Sequence, residues 1–283
     1  MSVTVRHDEV GGSETALLDQ VRAYWNSRPC NIRHSPQPVG SRQYFDEVEA
    51  RKYFVEPHIP GFAQFDRWNG KNVLEIGCGI GTDTVNFARA GARVTAVDLS
   101  SASVDMCRRR LALFGLEANL YVGNAEELAS FLPAKKYDLV YSFGVIHHTP
   151  DPARVVSQIR QYSHPDTEVR LMLYSKWSWK TLAILLADAH GKIWRWNEFI
   201  RQNSEAQTGC PVTFVYSRAD LHQLLDGFRI LEIRKEHIFP YKVEKYVNYE
   251  YERLWYFRVL PAGLFRWLEH RLGWHSLVVA RPV

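Results

Sequence analysis

The sequence predicts an α/β protein built around a doubly wound, mostly parallel sheet. Short apolar runs, each typical of a buried strand, alternate with helical segments from residue 72 to residue 175. A turn containing three glycines joins the first apolar run to the first helix, and the second apolar run ends at an acid, Asp98. Strict alternation of strands and helices requires right-handed crossovers, which place helices on both faces of a parallel sheet.

The individual elements follow from their boundary residues. The predicted strands are, in order, "NVLEIG", "RVTAVDLS", the start of "NLYVGNAEEL", "YDLVYSFG" and "TEVRLMLYS". The helix "TDTVNFARAG" is closed by Gly91, and the next helix begins at a cap on Ser100 or Ser101. Asp151 and Pro152 supply the cap and the first-turn proline of the helix before the fifth strand.

We expect the chain to divide into three parts. Residues 1–67 form an N-terminal helical lid, residues 68–175 a ligand-binding core, and residues 176–283 the rest of the sheet. The third part carries helical insertions, which are rich in aromatic side chains over residues 241–275 and are expected on the side of the sheet where a second ligand would bind. It ends in "WHSLVVARP", whose alternating pattern predicts a closing strand.

The bulk composition is that of an ordinary globular protein. Charged residues make up 23% of the 283 residues, the hydrophobic set 46%, and the formal net charge is +4. Such a mild charge, without a concentrated basic face, predicts no nucleic-acid partner. Apolar runs such as "LAILLA" at 182–187 fall far short of the ~20 residues of a spanning helix, so we expect no stable membrane insertion. The four cysteines show no C-x-x-C spacing, which predicts no metal site and a reducing, cytoplasmic location.

The glycine turn lies where ligands bind in open α/β sheets, beyond the carboxyl end of a strand. Its glycines are Gly77, Gly79 and Gly81, and Asp98 ends the next strand, where a carboxylate can accept both hydroxyl groups of a ribose. Dinucleotide enzymes share this layout, but their glycine spacing is G-x-G-x-x-G rather than G-x-G-x-G. Glu75 precedes the first glycine by two residues, and a carboxylate there suits a positive amine or sulfonium better than a pyrophosphate.

Four segments between residues 68 and 175 occur in an order that resembles the class I S-adenosylmethionine-dependent methyltransferases of small-molecule type. "LEIGCGIGTDT" is similar to their first motif, E-x-G-x-G-x-G, and "VDLS" to their acidic strand end. "GNAEEL" resembles their adenine-binding turn, and "YDLVYSFGVIHHTPDP" their fourth-strand motif. The resemblance implies a Rossmann-like methyltransferase fold of seven strands, the last antiparallel, with S-adenosyl-L-methionine as cofactor.

The resemblance also implies which residues of the core bind the cofactor. The glycine turn and Glu75 hold the methionine part, Asp98 the ribose hydroxyls, and Leu99 packs on the adenine. Asn124 borders the adenine edge and accepts through its carbonyl, where many relatives carry aspartate. The complete implied set is Glu75, Gly77, Gly79, Gly81, Asp98, Leu99, Asn124, Ala125 and Phe143.

Other residues are expected on the acceptor side of the cofactor. His147 and His148 follow the fourth strand, titrate near neutral pH, and are the candidate catalytic residues that take a proton from the acceptor. Alternatively, one of the pair only shapes the loop through a local hydrogen bond. The candidate acceptor-binding residues are Tyr24, Asn31, Arg33 and Tyr246. The alternative for the lid and for the aromatic segment is ordinary packing.

These observations favour an S-adenosylmethionine-dependent methyltransferase that acts on a small-molecule acceptor, with amines and natural-product intermediates as candidates. One alternative is a lipid or isoprenoid methyltransferase at the membrane surface, because aromatic and basic residues mix over residues 241–275. Alternatives from other classes are a NAD-dependent oxidoreductase and a non-catalytic S-adenosylmethionine-binding protein. The sequence leaves N-, O- and C-methylation and the oligomeric state open.

Overall fold

The computed structural model describes residues 14–188 and 209–283. The strands are β1 (Asn72–Ile76), β2 (Arg93–Asp98), β3 (Asn119–Val122), β4 (Tyr137–Phe143), β5 (Ser163–Tyr174), β6 (Phe228–Glu236) and β7 (His275–Pro282). They form one seven-stranded sheet in the order β3-β2-β1-β4-β5-β7-β6. Strands β1 to β5 pair in parallel, whereas β7 is antiparallel to both β5 and β6. The predicted fold class is confirmed, including the antiparallel last strand.

Helices cover both faces of this sheet. They are α1 (Glu14–Ser27), α2 (Arg42–Val55), α3 (His58–Ala63), α4 (Thr82–Arg89), α5 (Ser101–Phe114), α6 (Pro152–Gln161), α7 (Trp179–Asp188), α8 (Arg218–Leu224), α9 (Val243–Tyr246), α10 (Trp255–Arg258) and α11 (Ala262–Leu272). Successive residues of β1 explain the two layers, because side chains alternate across a strand. Val73 packs with α4 and α5 on one face, whereas Leu74 and Ile76 pack with α6 on the other.

Local caps start the helices where the sequence predicts. The Ser100 hydroxyl accepts from the Ser103 N–H at 3.1 Å and begins α5. The Asp151 carboxylate accepts from the Arg154 N–H at 3.0 Å and begins α6, with Pro152 in the first turn. Each cap fixes the residue at which the helix after β2 or after β4 begins. It thereby fixes the length of the loop between that strand and its helix.

The N-terminal helices and the C-terminal insertions lie outside the alternating core. Helices α1 and α2 pack against α5. Helices α9 to α11 follow β6 and precede β7 in the chain. The predicted aromatic insertion before the last strand therefore exists, while the boundaries of the three predicted parts stay a prediction. The helical stretch predicted over residues 176–208 is described only in α7, since residues 189–208 lie outside the described residues. Within the described part, no helix is both long and apolar enough to cross a bilayer.

Candidate functional site

A cavity opens at the carboxyl ends of β1, β2 and β4. Strand order reverses between β1 and β4, and such a switch point is where open α/β sheets bind ligands. The empty space at this point, including the part that is open to solvent, is about 970 Å³. The sequence-predicted residues that line it are Asn31, Gly77, Gly79, Asp98, Leu99, Asn124, Ala125, Phe143 and His148. The structure therefore brings together most of the predicted cofactor set.

The glycine loop forms the floor of this cavity. Gly77 has φ +83°, and a Cβ there would lie 2.1 Å from the Val145 side chain. Only glycine can take this backbone conformation at such a close approach. Gly79 is different, because a Cβ built on it meets nothing within 4 Å and would point into open space. The loop thus presents bare backbone to the cavity, as a ligand in close contact requires.

Asp98 stands at the end of β2 with its carboxylate oriented by two backbone donors. The Gly79 N–H donates to Oδ2 at 2.8 Å, and the Ser100 N–H donates to Oδ1 at 2.9 Å. Burial raises the pKa of Asp98, while these two hydrogen bonds pull it down. Each carboxylate oxygen has a second lone pair. The half-buried Asp98 can therefore accept two further hydrogen bonds from a diol inside the cavity.

The opposite wall is formed by the turn after β3. Asn124 caps the short helix Ala125–Ser130, and its Oδ1 accepts from the Glu126 N–H at 3.1 Å. Asn124 and the apolar Ala125 and Leu99 line the same cavity. Flat apolar walls with a polar edge match the chemistry of a purine ring.

Helix α1 contributes one wall of the cavity. Leu18, Val21 and Trp25, at i, i+3 and i+7 along α1, line the cavity from one helical face. Asn26, next along the helix, fastens α1 to the start of α5, because its Oδ1 accepts from the Ser100 hydroxyl at 2.9 Å. A lid role for this helix stays a prediction.

The structure corrects the expected contacts of Glu75 and Gly81. The Glu75 carboxylate accepts from the Thr84 hydroxyl at 2.6 Å in the protein interior and is not among the described residues that line the cavity. Burial and the neighbouring Asp83 carboxylate raise its pKa well above the usual range. Gly81 caps α4, and a Cβ there would lie 2.6 Å from the Cys107 sulfur. Both residues therefore contribute to the conformation of the glycine loop from the side that faces the protein interior.

The two adjacent histidines lie in different surroundings. His148 lines the cavity, and its Nδ1 lies 2.8 Å from the Val212 carbonyl. A carbonyl only accepts, so Nδ1 carries the proton and Nε2 is the basic nitrogen. His147 is fully buried, with its ring centroid 3.8 Å from that of Tyr174, and neither ring nitrogen has a hydrogen-bond partner among the described residues. Burial and His148 lower the pKa of His147 well below its usual range. This placement corrects the expectation that His147 meets the acceptor.

Three of the predicted acceptor-binding residues also lie outside the cavity lining in the described part of the chain. Arg33 is exposed, and its carbonyl accepts from the Tyr249 hydroxyl at 3.1 Å. Tyr24 packs edge-on against Trp25, with ring centroids 5.1 Å apart. The Tyr246 ring covers the Arg51 guanidinium at 4.1 Å. Arg33, Tyr24 and Tyr246 thus make contacts within the N-terminal and C-terminal helical segments. Asn31, by contrast, lines the cavity.

The comparisons with known proteins agree with this geometry. Residues 73–166 match a family model described as a methyltransferase domain. The sheet order decides between the two glycine-loop families, since dinucleotide-binding folds have the order 3-2-1-4-5-6. Here an antiparallel β7 stands between β5 and β6. Over residues 73–166 this chain is therefore similar to a methyltransferase domain.

Curated relatives share sequence with this chain over part of their length. A ubiquinone biosynthesis O-methyltransferase from Aromatoleum aromaticum is 37% identical over 100 residues, which are 35% of this chain and 42% of the relative. One of the same name from Salmonella paratyphi A is 36% identical over 100 residues, 35% of this chain and 41% of the relative. The chain thus spans about two fifths of the length of these relatives.

Solved structures share the fold of this chain. Magnesium protoporphyrin IX methyltransferase from Synechocystis, with bound SAH, has a TM-score of 0.57 at 16% identity, covering 94% of this chain and 100% of its own. The cyclase SpnF has a TM-score of 0.53 at 14% identity, covering 94% of each chain. At such low identity the likeness establishes the fold alone.

One residue that lines the cavity, Lys52, gave no signal in the sequence. Lys52, from α2, lines the cavity and forms an ion pair with Asp83 at 2.9 Å. Burial lowers the pKa of Lys52, but the Asp83 carboxylate more than offsets this, so the pKa is raised overall. The Tyr53 and Tyr141 hydroxyls also donate to Asp83, at 2.9 and 3.0 Å. Lys52 therefore stays charged and offers a cation to the cavity.

Proposed function

We propose that this protein is an S-adenosylmethionine-dependent methyltransferase that acts on a small-molecule acceptor. The observation that carries the proposal is the cavity at the switch point, where bare glycine backbone and the oriented Asp98 carboxylate face each other. A cofactor with a ribose diol, a purine and a charged amino-acid end matches these walls. Asp98 would hold the ribose, Leu99 and Ala125 the adenine, and Lys52 the carboxylate.

The chemistry asks little of the protein beyond alignment. When bound, S-adenosylmethionine supplies an electrophilic methyl group on a sulfonium. The chain's own task is to hold the acceptor about 3 to 3.5 Å from that carbon and to exclude water. Trp25 and the rest of α1 cover the cavity for this purpose.

A protonated acceptor also needs a base, and we propose His148. Its Nδ1–H is held by the Val212 carbonyl, so the basic Nε2 has a fixed orientation in a wall of the cavity. An oriented neutral imidazole is the usual general base near neutral pH. His147, one residue earlier, would act only by packing against His148, with ring centroids 4.3 Å apart.

We further propose that the acceptor atom is a hydroxyl oxygen. The curated relatives are named as O-methyltransferases, and a base assists a hydroxyl by removing the proton from the attacking oxygen. The amine suggested by the sequence rested on the carboxylates and rings of residues 241–275. There, Lys242 and Lys245 pair with Glu252 and Glu250, so these carboxylates already have cationic partners.

The test is transfer of a labelled methyl group. Incubation with methyl-labelled S-adenosylmethionine and a panel of catechols, phenols and amines should label the hydroxyl compounds, and Asp98→Asn should reduce labelling at limiting cofactor. Label on amines alone would overturn the choice of oxygen. Absence of both labelling and cofactor binding would overturn the proposed function.

A second candidate is methylation of a lipid or isoprenoid acceptor at a membrane surface. Large apolar side chains are exposed on the insertion between β6 and β7, namely Trp255, Val259, Leu264 and Trp267. Large exposed apolar side chains that lie together mark interaction sites. Sedimentation with phospholipid vesicles should separate the candidates, because only this one predicts co-sedimentation that Trp255→Ser and Trp267→Ser abolish.

A further inference from the structure

A group of imidazole and carboxylate side chains converges beside the cavity, outside the proposed cofactor contacts. His237 lies just after β6, His275 begins β7, and Glu56 ends α2. One donor atom from each of the three lies within 4.8 Å of the other two. His58, at the start of α3, adds a fourth donor, since its Nε2 lies 3.0 Å from the His275 Nδ1.

We propose that Glu56, His237 and His275 bind a divalent transition metal, with zinc as the ion they suit best. Two histidines and one glutamate form a known zinc donor set that leaves a fourth position open. Around tetrahedral zinc the donor atoms lie roughly 3.4 Å apart, given bonds of about 2.1 Å. Small side-chain rotations would therefore close the present arrangement around an ion.

The surroundings of the three residues favour a cation. His275 is buried, and Glu56 and His237 are half-buried, so the site is dry on one side and reachable on the other. Burial also favours neutral imidazole, which is the form that coordinates metals. Two of the nearby cations have carboxylate partners, since Lys52 pairs with Asp83 at 2.9 Å and Arg234 with Glu236 at 3.0 Å. A third cation, Lys180, acts on both His237 and His275, and its Nζ lies 4.8 Å from the centroid of the Trp274 ring.

The backbone at His237 gives independent support. This residue has φ +72°, a left-handed conformation that non-glycine residues adopt at a cost. Its carbonyl accepts from the Trp274 N–H at 2.9 Å, so the loop after β6 is tied to the start of β7. The two ring centroids of His237 and His275 are consequently 4.6 Å apart. Strained residues of this kind cluster at functional sites.

The proposed metal site lies next to a wall of the cavity. The rings of His58 and His275 lie 5.9 and 5.6 Å from the ring of Phe143, which lines the cavity. A bound metal would join the end of α2, the loop after β6 and the start of β7 directly behind this wall. The proposal does not depend on the methyl-transfer reaction, because it concerns metal binding and stability.

The test uses the full chain stripped of metal with a chelator and then titrated with Zn²⁺ by calorimetry. The wild-type protein should bind one Zn²⁺ per chain and melt at a higher temperature in its presence. His237→Ala and Glu56→Gln should each weaken Zn²⁺ binding by about 100-fold or more, since even supporting residues of metal sites contribute about 10- to 100-fold. The exposed His222→Ala, on α8, is the matched control and should bind Zn²⁺ as the wild type does.

Two measurements keep the outcome clear. Thermal melting without metal checks that each variant folds, and Glu56→Gln preserves the shape of the side chain. Zn²⁺ affinity equal to wild type in both His237→Ala and Glu56→Gln would overturn the proposal, as would absence of Zn²⁺ binding in the wild type. Titration with S-adenosylhomocysteine in parallel separates this failure from a failure of the proposed function.

Discussion

His147 and His148 are adjacent in sequence but meet different environments. The short helix Ile146–His148 turns one ring into the protein interior against Tyr174 and the other into the cavity wall. Only the second ring has its tautomer set by a carbonyl, that of Val212. His147 and His148 therefore differ in role because their rings point in different directions. Residue type alone does not predict that direction.

Replacing His148 tests this assignment. The His148→Asn side chain keeps an N–H that can donate to the Val212 carbonyl but has no basic nitrogen at the position of Nε2. Turnover on a hydroxyl acceptor should fall by about 100-fold, the lower end for general-base catalysis, while affinity for S-adenosylhomocysteine stays near wild type. Steady-state kinetics and calorimetry provide the two values. Unchanged turnover would leave alignment alone as the mechanism.

At the residue scale the sequence predicted which residues of one local motif would line the same cavity. Gly77, Gly79 and Asp98 follow from a strand, a turn and a strand end within a few residues of each other. Lys52 and the metal-binding group could not be predicted, because their members come from distant segments that only the tertiary structure brings together. Glu75 was misassigned since its carboxylate turns toward Thr84 on α4.

At the scale of single elements, α1 and its docking on α5 decide whether the cavity is covered. Trp25 contributes a large apolar ring to the roof and meets His148 edge-on, with ring centroids 5.4 Å apart. The Asn26 side chain then fixes the end of the helix to Ser100. Burial of Trp25 against a ligand is the main contribution that this helix can make to affinity.

Trimming this ring should weaken binding without unfolding the core. Trp25→Ala should lower the affinity for S-adenosylhomocysteine by about tenfold or more, because roughly 1.5 to 3 kcal/mol of apolar burial is removed. Asp19→Ala is the matched control, as Asp19 belongs to the same helix and its side chain is 60% exposed. Calorimetry on both variants gives the comparison. Equal affinities in the two variants would show that α1 does not cover the ligand.

The alternating elements of the core were predictable because strand and helix periodicities are local. The insertion of β7 between β5 and β6 was not, since it requires a strand to enter the sheet from a distant segment. The resemblance to a family implied only seven strands and an antiparallel last strand, not the position of that strand in the sheet. Helices α9 and α10 have four residues each and are too short to leave a periodic signal.

For the whole molecule, buried histidines link stability to pH. Burial, as the largest cause, lowers the pKa of His34 and His58 to about 3 and that of His237 to about 4. The unfolded chain binds these protons near pH 6.5, well before the folded protein does. Their stabilising contribution is therefore complete above about pH 6.5 and is lost as the pH falls toward 4.

The free energy of unfolding of the metal-free protein should thus be lower at pH 5.5 than at pH 7.5, by roughly 1 to 3 kcal/mol. The raised pKa values of Glu75 and Asp98 act in the opposite direction and limit the loss. Urea unfolding at both pH values measures it, and His34→Gln should make the loss smaller. Equal or greater stability at pH 5.5 would mean that these histidines are not buried in their neutral form.

The central claim is that the cavity at the switch point binds S-adenosylmethionine rather than a dinucleotide, and calorimetric titration with S-adenosylhomocysteine and with NAD tests it most directly. We predict micromolar or tighter binding of S-adenosylhomocysteine and no binding of NAD. Asp98→Ala should weaken S-adenosylhomocysteine binding about ten- to a hundredfold, because hydrogen bonds to a charged acceptor contribute roughly 1.5 to 3 kcal/mol. Asp105→Ala, on an exposed side chain of α5, should leave the affinity unchanged. Binding of NAD without S-adenosylhomocysteine, or an Asp98→Ala variant with wild-type affinity, would contradict the account.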